Sequence, residues 1–152
     1  MTRLARAGIS VDVPSGWEAT IDGGDFQPLS SGAQRLTLLH VGSFPLPLDR
    51  GSFGAGATEL MSSDDVFITL FEYGPESADT PLFAARGMPR SLSPEDFDRD
   101  ALQHAIAGQS GLQHFFTERG RGFCLYVVLG SHIDRAELLP RVKEVLASVE
   151  IS

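Results

Sequence analysis

Two short patterns in the sequence contain residue types that bind cations or phosphate, and both depart from the spacing that this chemistry needs. Asp96, Asp98 and Asp100 match the first three ligand positions of a calcium-binding loop. Alanines stand at the sixth and twelfth positions, where such a loop needs glycine and glutamate. The glycines of residues 51–56 are not followed by the lysine of a phosphate-binding loop. We therefore predict that the acids begin a helix and that the glycines belong to a flexible loop.

Residue types that can act as nucleophiles or bases occur in three places without forming a catalytic pattern. Residues 108–111, Gly-Gln-Ser-Gly, are followed by leucine where a nucleophile elbow has its closing glycine. Ser131, His132 and Asp134 are triad residue types, but so close in sequence they are better interpreted as the start of the following helix. Cys124 lies in an apolar run, where a buried thiol has a raised pKa and low reactivity. We predict no catalytic residue.

Cofactor and metal sites are not predicted either. The single cysteine excludes an internal disulfide and a thiolate cluster for zinc. No two of the histidines stand four residues apart, as they would on a metal-binding helix. The histidines are His40, His104, His114 and His132. We therefore expect no cofactor and no bound metal.

The composition predicts one globular domain spanning residues 1–152. An apolar fraction of 42% is too high for a disordered chain. A net charge of −8 would repel a polyanion, so we predict no nucleic-acid partner. No apolar run approaches the roughly 18 residues of a membrane span, and no secretory signal is recognisable. We expect a cytoplasmic protein without a membrane partner.

Alternating and continuous apolar segments predict an antiparallel sheet of about six strands. Pro14, Ser15 and Gly16 form a tight turn between the first two strands, and residues 22–25 end the second. The strand at 66–73 is a candidate sheet edge through which a homodimer could form. The predicted strands are residues 8–13, 17–21, 35–41, 66–73, 112–117 and 123–129.

Helices are predicted in two places. Ser93 and Pro94 are typical of a helix start, and we predict a helix over residues 93–107. At the C-terminus, Pro140 predicts a short turn over residues 134–139 followed by the main helix. The apolar residues of that amphipathic helix recur at helical spacing, and they are Leu138, Val142, Val145, Leu146 and Val149.

A strand that ends in Pro14, Gly16 and Trp17, followed by antiparallel strands, a helix, a hairpin and a terminal helix, resembles the PsbP-like superfamily. The resemblance extends over most of the chain as an order of elements. It implies an α+β fold in which an antiparallel sheet lies between helices, an α/β/α sandwich. The superfamily includes bacterial proteins, and its members mostly bind proteins or ligands. The resemblance therefore implies an interaction role and transfers no functional residue.

We predict a non-catalytic interaction or binding module whose partner is another protein. The long loops offer docking surface, and aromatic side chains in or near loops suit an interface. These aromatic residues are Trp17, Phe44, Phe53 and Phe83. Arg119 and Arg121 place two cations on a predicted hairpin tip, where they could meet an acidic partner.

An alternative hypothesis is a small-ligand-binding protein or a small enzyme. It needs a concave pocket with convergent polar groups near the hairpin at residues 112–129. The polar candidates there are His114, Tyr126 and His132. Alternation along the hairpin could bring His114 and Tyr126 together, depending on the strand register.

Overall fold

The computed structural model describes residues 1–28 and 34–152, with side chains for residues 1–23 and 37–152. The described part contains eight strands and one α-helix. In chain order these elements are β1 (Thr2–Arg6), β2 (Ile9–Val13), β3 (Glu18–Pro28), β4 (Gln34–Gly42), β5 (Val66–Glu72), β6 (Ser110–Glu118), β7 (Arg121–Leu129), α1 (Arg135–Ser148) and β8 (Glu150–Ile151). Single 3-10 turns lie at Thr58–Leu60, Pro75–Ser77, Pro81–Phe83 and Pro94–Asp96.

The strands described form two antiparallel sheets, one of three strands in the order β1-β2-β8 and one of five in the order β3-β4-β5-β7-β6. Every residue of β5 is buried, as are residues 122–129 of β7. Both faces of these central strands are covered, which explains why their sequences are mostly apolar instead of alternating.

One face of the five-stranded sheet, called here the helix face, packs against α1 and the three-stranded sheet. Ile68 of β5 and Val127 of β7 contribute to this core from the sheet, and Val142 contributes from the helix. Val11 of β2 joins the same cluster, so a single apolar core connects the two sheets.

The opposite face, called here the loop face, is covered by irregular chain instead of helices. Phe44 and Ala57 from the segment after β4 pack on Phe67 and Val128 of this face, and Leu102 from the segment before β6 joins them. Loop segments can cover a sheet face where their aromatic and aliphatic residues fill the pleats.

The predicted helix over residues 93–107 is wrong. Ser93 and Asp96 do form a capping box, in which the Ser93 backbone N–H donates to Asp96 Oδ2 at 2.8 Å. The helical conformation nevertheless ends after one 3-10 turn. Asp98 Oδ1 then accepts from the Asp100 N–H at 2.7 Å, and the Asp98 backbone pairs with Gly111 of β6. These local hydrogen bonds compete with continuation of a helix.

The C-terminal helix is confirmed, but its predicted start after Pro140 is wrong. The helix begins at Arg135, directly after Asp134, and continues through Pro140 to Ser148. Pro140 is exposed, so its ring faces away from the core. The predicted apolar positions are buried: Leu138, Val142, Val145, Leu146 and Val149.

The α+β class is confirmed, whereas the predicted α/β/α sandwich is wrong because the described part has one C-terminal helix and two antiparallel sheets. The strand at 66–73 is not a sheet edge, since β5 lies between β4 and β7. The second strand does not end at residues 22–25. Instead, β3 continues to Pro28 with a register shift against β4 between Gly23 and Gln27. Among the described residues, no helix has the length and apolarity to cross a membrane.

Candidate functional site

A groove of about 300 Å³ separates the beginning of β1 from the beginning of β3. Leu4 of β1, Val13 of β2, and Trp17 and Ala19 near the start of β3 line it. Val13 is buried, whereas Leu4, Trp17 and Ala19 are half-buried and packed against the main core. The groove therefore has an apolar strip that is fixed by the core beneath it, and the polar residues Thr2 and Ser15 complete its lining.

Trp17 is held in this groove by a turn and a cation. Gly16 has a φ of +84°, and the Trp17 N–H donates to the Pro14 carbonyl oxygen at 3.1 Å, which closes the predicted tight turn. The guanidinium of Arg141, from α1, lies 5.2 Å from the centre of the Trp17 ring. Tryptophan and arginine dominate the binding energy of many protein interfaces. The predicted binding residue Trp17 thus lies at the groove surface.

The two strands that flank the groove each pair on one side only within the described residues, β1 with β2 and β3 with β4. Beyond the groove the two strands touch, because Arg6 Nη1 donates to the Ile21 carbonyl oxygen at 3.4 Å. A Cβ atom at Gly23 would lie 2.8 Å from the Ala7 Cβ, so glycine permits this close approach. The outer edges of both strands therefore border the groove.

Across the loop face, the register aligns one polar residue from each strand of the five-stranded sheet. In strand order these are Thr20, His40, Thr69, Tyr126 and Gln113. The Tyr126 hydroxyl accepts a hydrogen bond from the Gln103 N–H at 2.7 Å, and burial raises the pKa of Tyr126. The Thr69 hydroxyl, which is fully buried, has no hydrogen-bond partner among the described residues. A polar row thus crosses an otherwise apolar face.

The predicted binding residues Phe53 and Phe83 lie over this loop face and are occupied by intramolecular packing. Phe53 stacks on Phe71 with ring centres 5.1 Å apart. Phe83 is buried and meets Tyr73 and Phe115 edge-on at 5.2 and 5.4 Å. Phe44 is also buried. It belongs to the irregular segments that lie on the loop face, within residues 43–65 and 73–109, which are called here the loop cover.

Arg119 and Arg121 are close in sequence but have different surroundings. Arg119 is exposed in the two-residue turn between β6 and β7, and it makes no hydrogen bond or ion pair within the described chain. Arg121 binds Glu72 through two hydrogen bonds of 2.8 Å, which raises the pKa of Arg121. Its Nη1 and Nη2 also donate to the carbonyl oxygens of Ser152 and Ala7 at 3.0 Å each. Of the two arginines, Arg119 alone is available to an acidic partner.

Glu72, which the sequence analysis did not single out, is therefore an important structural residue. Its side chain is only 3% exposed, and Arg121 supplies its charge partner. A carboxylate inside the continuously apolar segment 66–73 is the sequence signal that could have identified it, because a buried charge needs a partner.

The polar residues of the alternative hypothesis do not come together. Tyr126 faces its β6 neighbour Gln113 on the loop face, so His114, the next residue, lies on the helix face. His132 lies beyond the end of β7 and forms a different pair, in which Ser110 Oγ and His132 Nδ1 are 2.8 Å apart. The four cavities described around residues 1–23, 38–52 and 144–152 include none of these three residues.

The pair of Ser110 and His132 joins two segments that the sequence analysis treated separately. Ser110 is fully buried, so its hydroxyl is not accessible to a substrate. Burial, together with the charges of Arg135 and Arg99, lowers the pKa of His132, although Asp98 acts in the opposite direction. Nδ1 of a neutral imidazole can accept a hydrogen bond from the Ser110 hydroxyl, and the pair joins the start of β6 to the segment before α1.

Cys124 lies on the loop face between Phe71 of β5 and Phe115 of β6 and is fully buried. Burial raises the pKa of its thiol to about 12. This agrees with the predicted packing role, because the thiolate is the reactive form. No group of three or more His, Cys, Asp or Glu side chains is arranged to hold a metal ion in the described residues.

Comparison of the chain with protein-family models, with curated proteins and with solved structures returned no match. The resemblance to the PsbP-like superfamily therefore stays a prediction.

Proposed function

We propose that the protein is a non-catalytic binding module that takes an extended peptide segment of another protein into the groove between β1 and β3. The observation that supports this most strongly is the geometry of the groove. Two strand edges without a neighbour on that side border it, and Trp17 lines it. An added strand would supply the missing backbone partners, which is how many domains recognise extended peptides.

The apolar part of the groove lining indicates which peptide side chain fits there. Leu4, Val13 and Ala19 present no charge, so an apolar side chain of the peptide is preferred at this point. Arg141 over the Trp17 ring keeps the indole oriented, which reduces the side-chain entropy lost on binding. Main-chain hydrogen bonds would provide affinity and the apolar contact would provide selectivity.

A selection from a library of short random peptides tests this proposal. Selected peptides should share an apolar position flanked by residues that favour strands, and the complex should show slowed hydrogen exchange at the amides of β1 residues 2–4 and β3 residues 18–20. Ala19→Arg would fill the groove and should reduce the peptide affinity by about tenfold or more. Ala105→Arg, at an exposed alanine in the segment before β6, is the matched control.

Two results would contradict the proposal. One is a selected peptide that binds Ala19→Arg as tightly as the wild-type protein. The other is protection that appears elsewhere, for instance at Arg119 and its neighbours in the turn between β6 and β7, which would place the docking surface at the hairpin tip.

A further inference from the structure

A second cavity, of about 240 Å³, lies at the β3–β4 side of the loop face, where the loop cover ends. It is lined by Thr20 and Asp22 of β3, by His40 of β4 and by Arg50 of the segment after β4. The cavity shares no lining residue with the groove at Trp17. Its lining includes the cation of Arg50 and the carboxylate of Asp22, whereas no charged side chain of the described residues lines that groove.

The guanidinium of Arg50 is fixed by three hydrogen bonds. Its Nε donates to His40 Nδ1 at 2.8 Å, Nη1 donates to the Pro47 carbonyl oxygen at 2.6 Å, and Nη2 donates to Thr20 Oγ1 at 2.6 Å. A guanidinium has five N–H groups. Two N–H groups of Arg50 are therefore without a partner among the described residues, on a side chain whose position is already set.

His40 contributes orientation without adding charge. Because a guanidinium can only donate, His40 Nδ1 must be the acceptor. The proton of the neutral imidazole is then on Nε2, which lies 2.8 Å from the Ser52 carbonyl oxygen and donates to it. The Arg50 charge is thus the only positive charge among the residues that line the cavity.

Asp22 provides the opposite charge in the same cavity. It is exposed, and its carboxylate makes no hydrogen bond or ion pair with any described residue. Arg50 and Asp22 line the same cavity but form no ion pair with each other. The cavity therefore holds a cation and an anion apart, each with hydrogen-bonding capacity left.

A ligand with a carboxylate alone would be attracted by Arg50 and repelled by Asp22. A simple amine would be attracted by Asp22 and repelled by Arg50. Only a molecule that carries both groups is favoured by both walls. The volume is below the roughly 300 Å³ at which cavities for drug-sized ligands begin, so the molecule is small. Leu38 and the 99% exposed Leu48 add apolar surface beside the charges.

We propose that this cavity binds the zwitterion of a free amino acid with an aliphatic side chain. The ligand carboxylate accepts from the remaining N–H groups of Arg50 and from the Thr20 hydroxyl, which is free to donate because it accepts from Arg50. The ligand ammonium donates to Asp22. The aliphatic side chain lies against Leu38 and Leu48.

Calorimetric titration of the full chain with each common amino acid tests the proposal. L-Leucine or a similar aliphatic amino acid should bind at least about tenfold more tightly than isocaproate, which lacks the ammonium, and than isoamylamine, which lacks the carboxylate. Asp22→Asn should weaken leucine binding by about tenfold and leave isocaproate binding unchanged or stronger. Asp64→Asn, at another exposed aspartate, should change neither.

The proposal is overturned if no amino acid binds at millimolar concentration, if isocaproate binds as tightly as leucine, or if the two aspartate variants behave alike. Nuclear magnetic resonance shifts at Arg50 and Leu48 distinguish this cavity from the peptide groove, where Leu4 and Trp17 should respond. The two sites can therefore fail independently.

Discussion

At the residue scale, Arg121 and Arg119 show how two cations only two positions apart in the sequence have different roles. The Arg121 side chain is 19% exposed and neutralises the almost fully buried Glu72, whereas Arg119 projects from a turn. Breaking a buried ion pair by removing one partner leaves an uncompensated charge and is far more costly than losing a surface charge. Of the two arginines that the sequence predicts for binding, Arg121 is therefore a structural residue and Arg119 is the exposed one.

Arg121→Ala should lower the free energy of unfolding by about 3 kcal/mol, because Glu72 would remain buried without its partner. Urea denaturation measures the change. Arg119→Ala is the matched control and should stay within about 0.5 kcal/mol of the wild-type protein. Adding Glu72→Gln to Arg121→Ala should recover part of the loss, since a neutral amide costs less to bury. Equal effects of the two arginine variants would contradict this account.

His132 gives a prediction about pH. Since its pKa is lowered from the ordinary value of 6.5, the folded protein binds this proton less readily than the unfolded chain. The contribution to stability is therefore fully present above the unfolded pKa and is lost as the pH falls below it. His132→Asn keeps a hydrogen-bonding group for Ser110 without titrating, so its stability should decline less between pH 8 and pH 5.

Denaturation curves across that pH range, with the exposed His104→Asn as control, measure the difference. We expect the stability of His132→Asn to decline less with falling pH than the stability of His104→Asn. If His132→Asn and the wild-type protein have parallel pH profiles, then His132 does not carry the linkage, and another group must account for any decline.

At the element scale, α1 contains a proline that its surroundings tolerate but do not require. Pro140 is the sixth residue of the helix, so its missing N–H would have bonded to the carbonyl of Ala136. Pro140→Ala should restore this hydrogen bond and raise the free energy of unfolding by about 1 to 3 kcal/mol, because an interior proline disfavours a helix. Thermal denaturation followed by circular dichroism measures the gain. A lower melting temperature would mean that the Pro140 ring contributes to packing.

How well each element could be predicted depends on whether a local apolar pattern or contacts between distant residues stabilise it. Residues 9–13 and 123–129 were identifiable because burial alone makes them apolar in a strand pattern. The first strand, Thr2–Arg6, was missed because Leu4 is its single large apolar residue. Its pairing is supported by Arg3, which donates to Asp12 at 2.9 Å and to Ser10 at 2.7 Å. Such pairs between distant residues have no local signature.

The same distinction applies to the candidate sites. Trp17 was predicted because a local turn positions it, but the groove beside it depends on β1 and could not be anticipated. The contacts of Arg50 join Thr20, His40 and Pro47, which lie on three separate segments. Segment 93–107 shows the opposite failure, since its local capping signal was correct and long-range pairing of Asp98 with β6 ended the helix.

At the scale of the whole molecule, the sheet has two unlike coverings. The helix face is closed by α1 and the three-stranded sheet, both held by regular hydrogen bonds. The loop face is closed mainly by irregular segments, within residues 43–65 and 73–109, that contribute side chains such as Phe53 and Leu102. Parts of a protein with fewer backbone hydrogen bonds open at lower free energy than the rest. The loop cover should therefore open before the helix face does.

Cys124 reports on this opening because it is buried beneath the cover and its thiol, with a pKa of about 12, is unreactive while covered. We expect a thiol reagent to label it through an opening whose free energy is lower than that of global unfolding measured by urea denaturation. Phe53→Ala removes a ring that stacks on Phe71 and should accelerate labelling more than Val142→Ala, which weakens the helix face.

Two results would contradict a cover that opens separately. In one, the opening that permits labelling has the same free energy and urea dependence as global unfolding. In the other, Phe53→Ala and Val142→Ala accelerate labelling equally. A cover that opens by itself also bears on the cavity at Arg50, because Pro47 and Ser52 belong to the same irregular segment. An amino acid bound there would bridge this segment to β3 through Thr20 and Asp22. Bound ligand should therefore slow Cys124 labelling without changing the groove at Trp17.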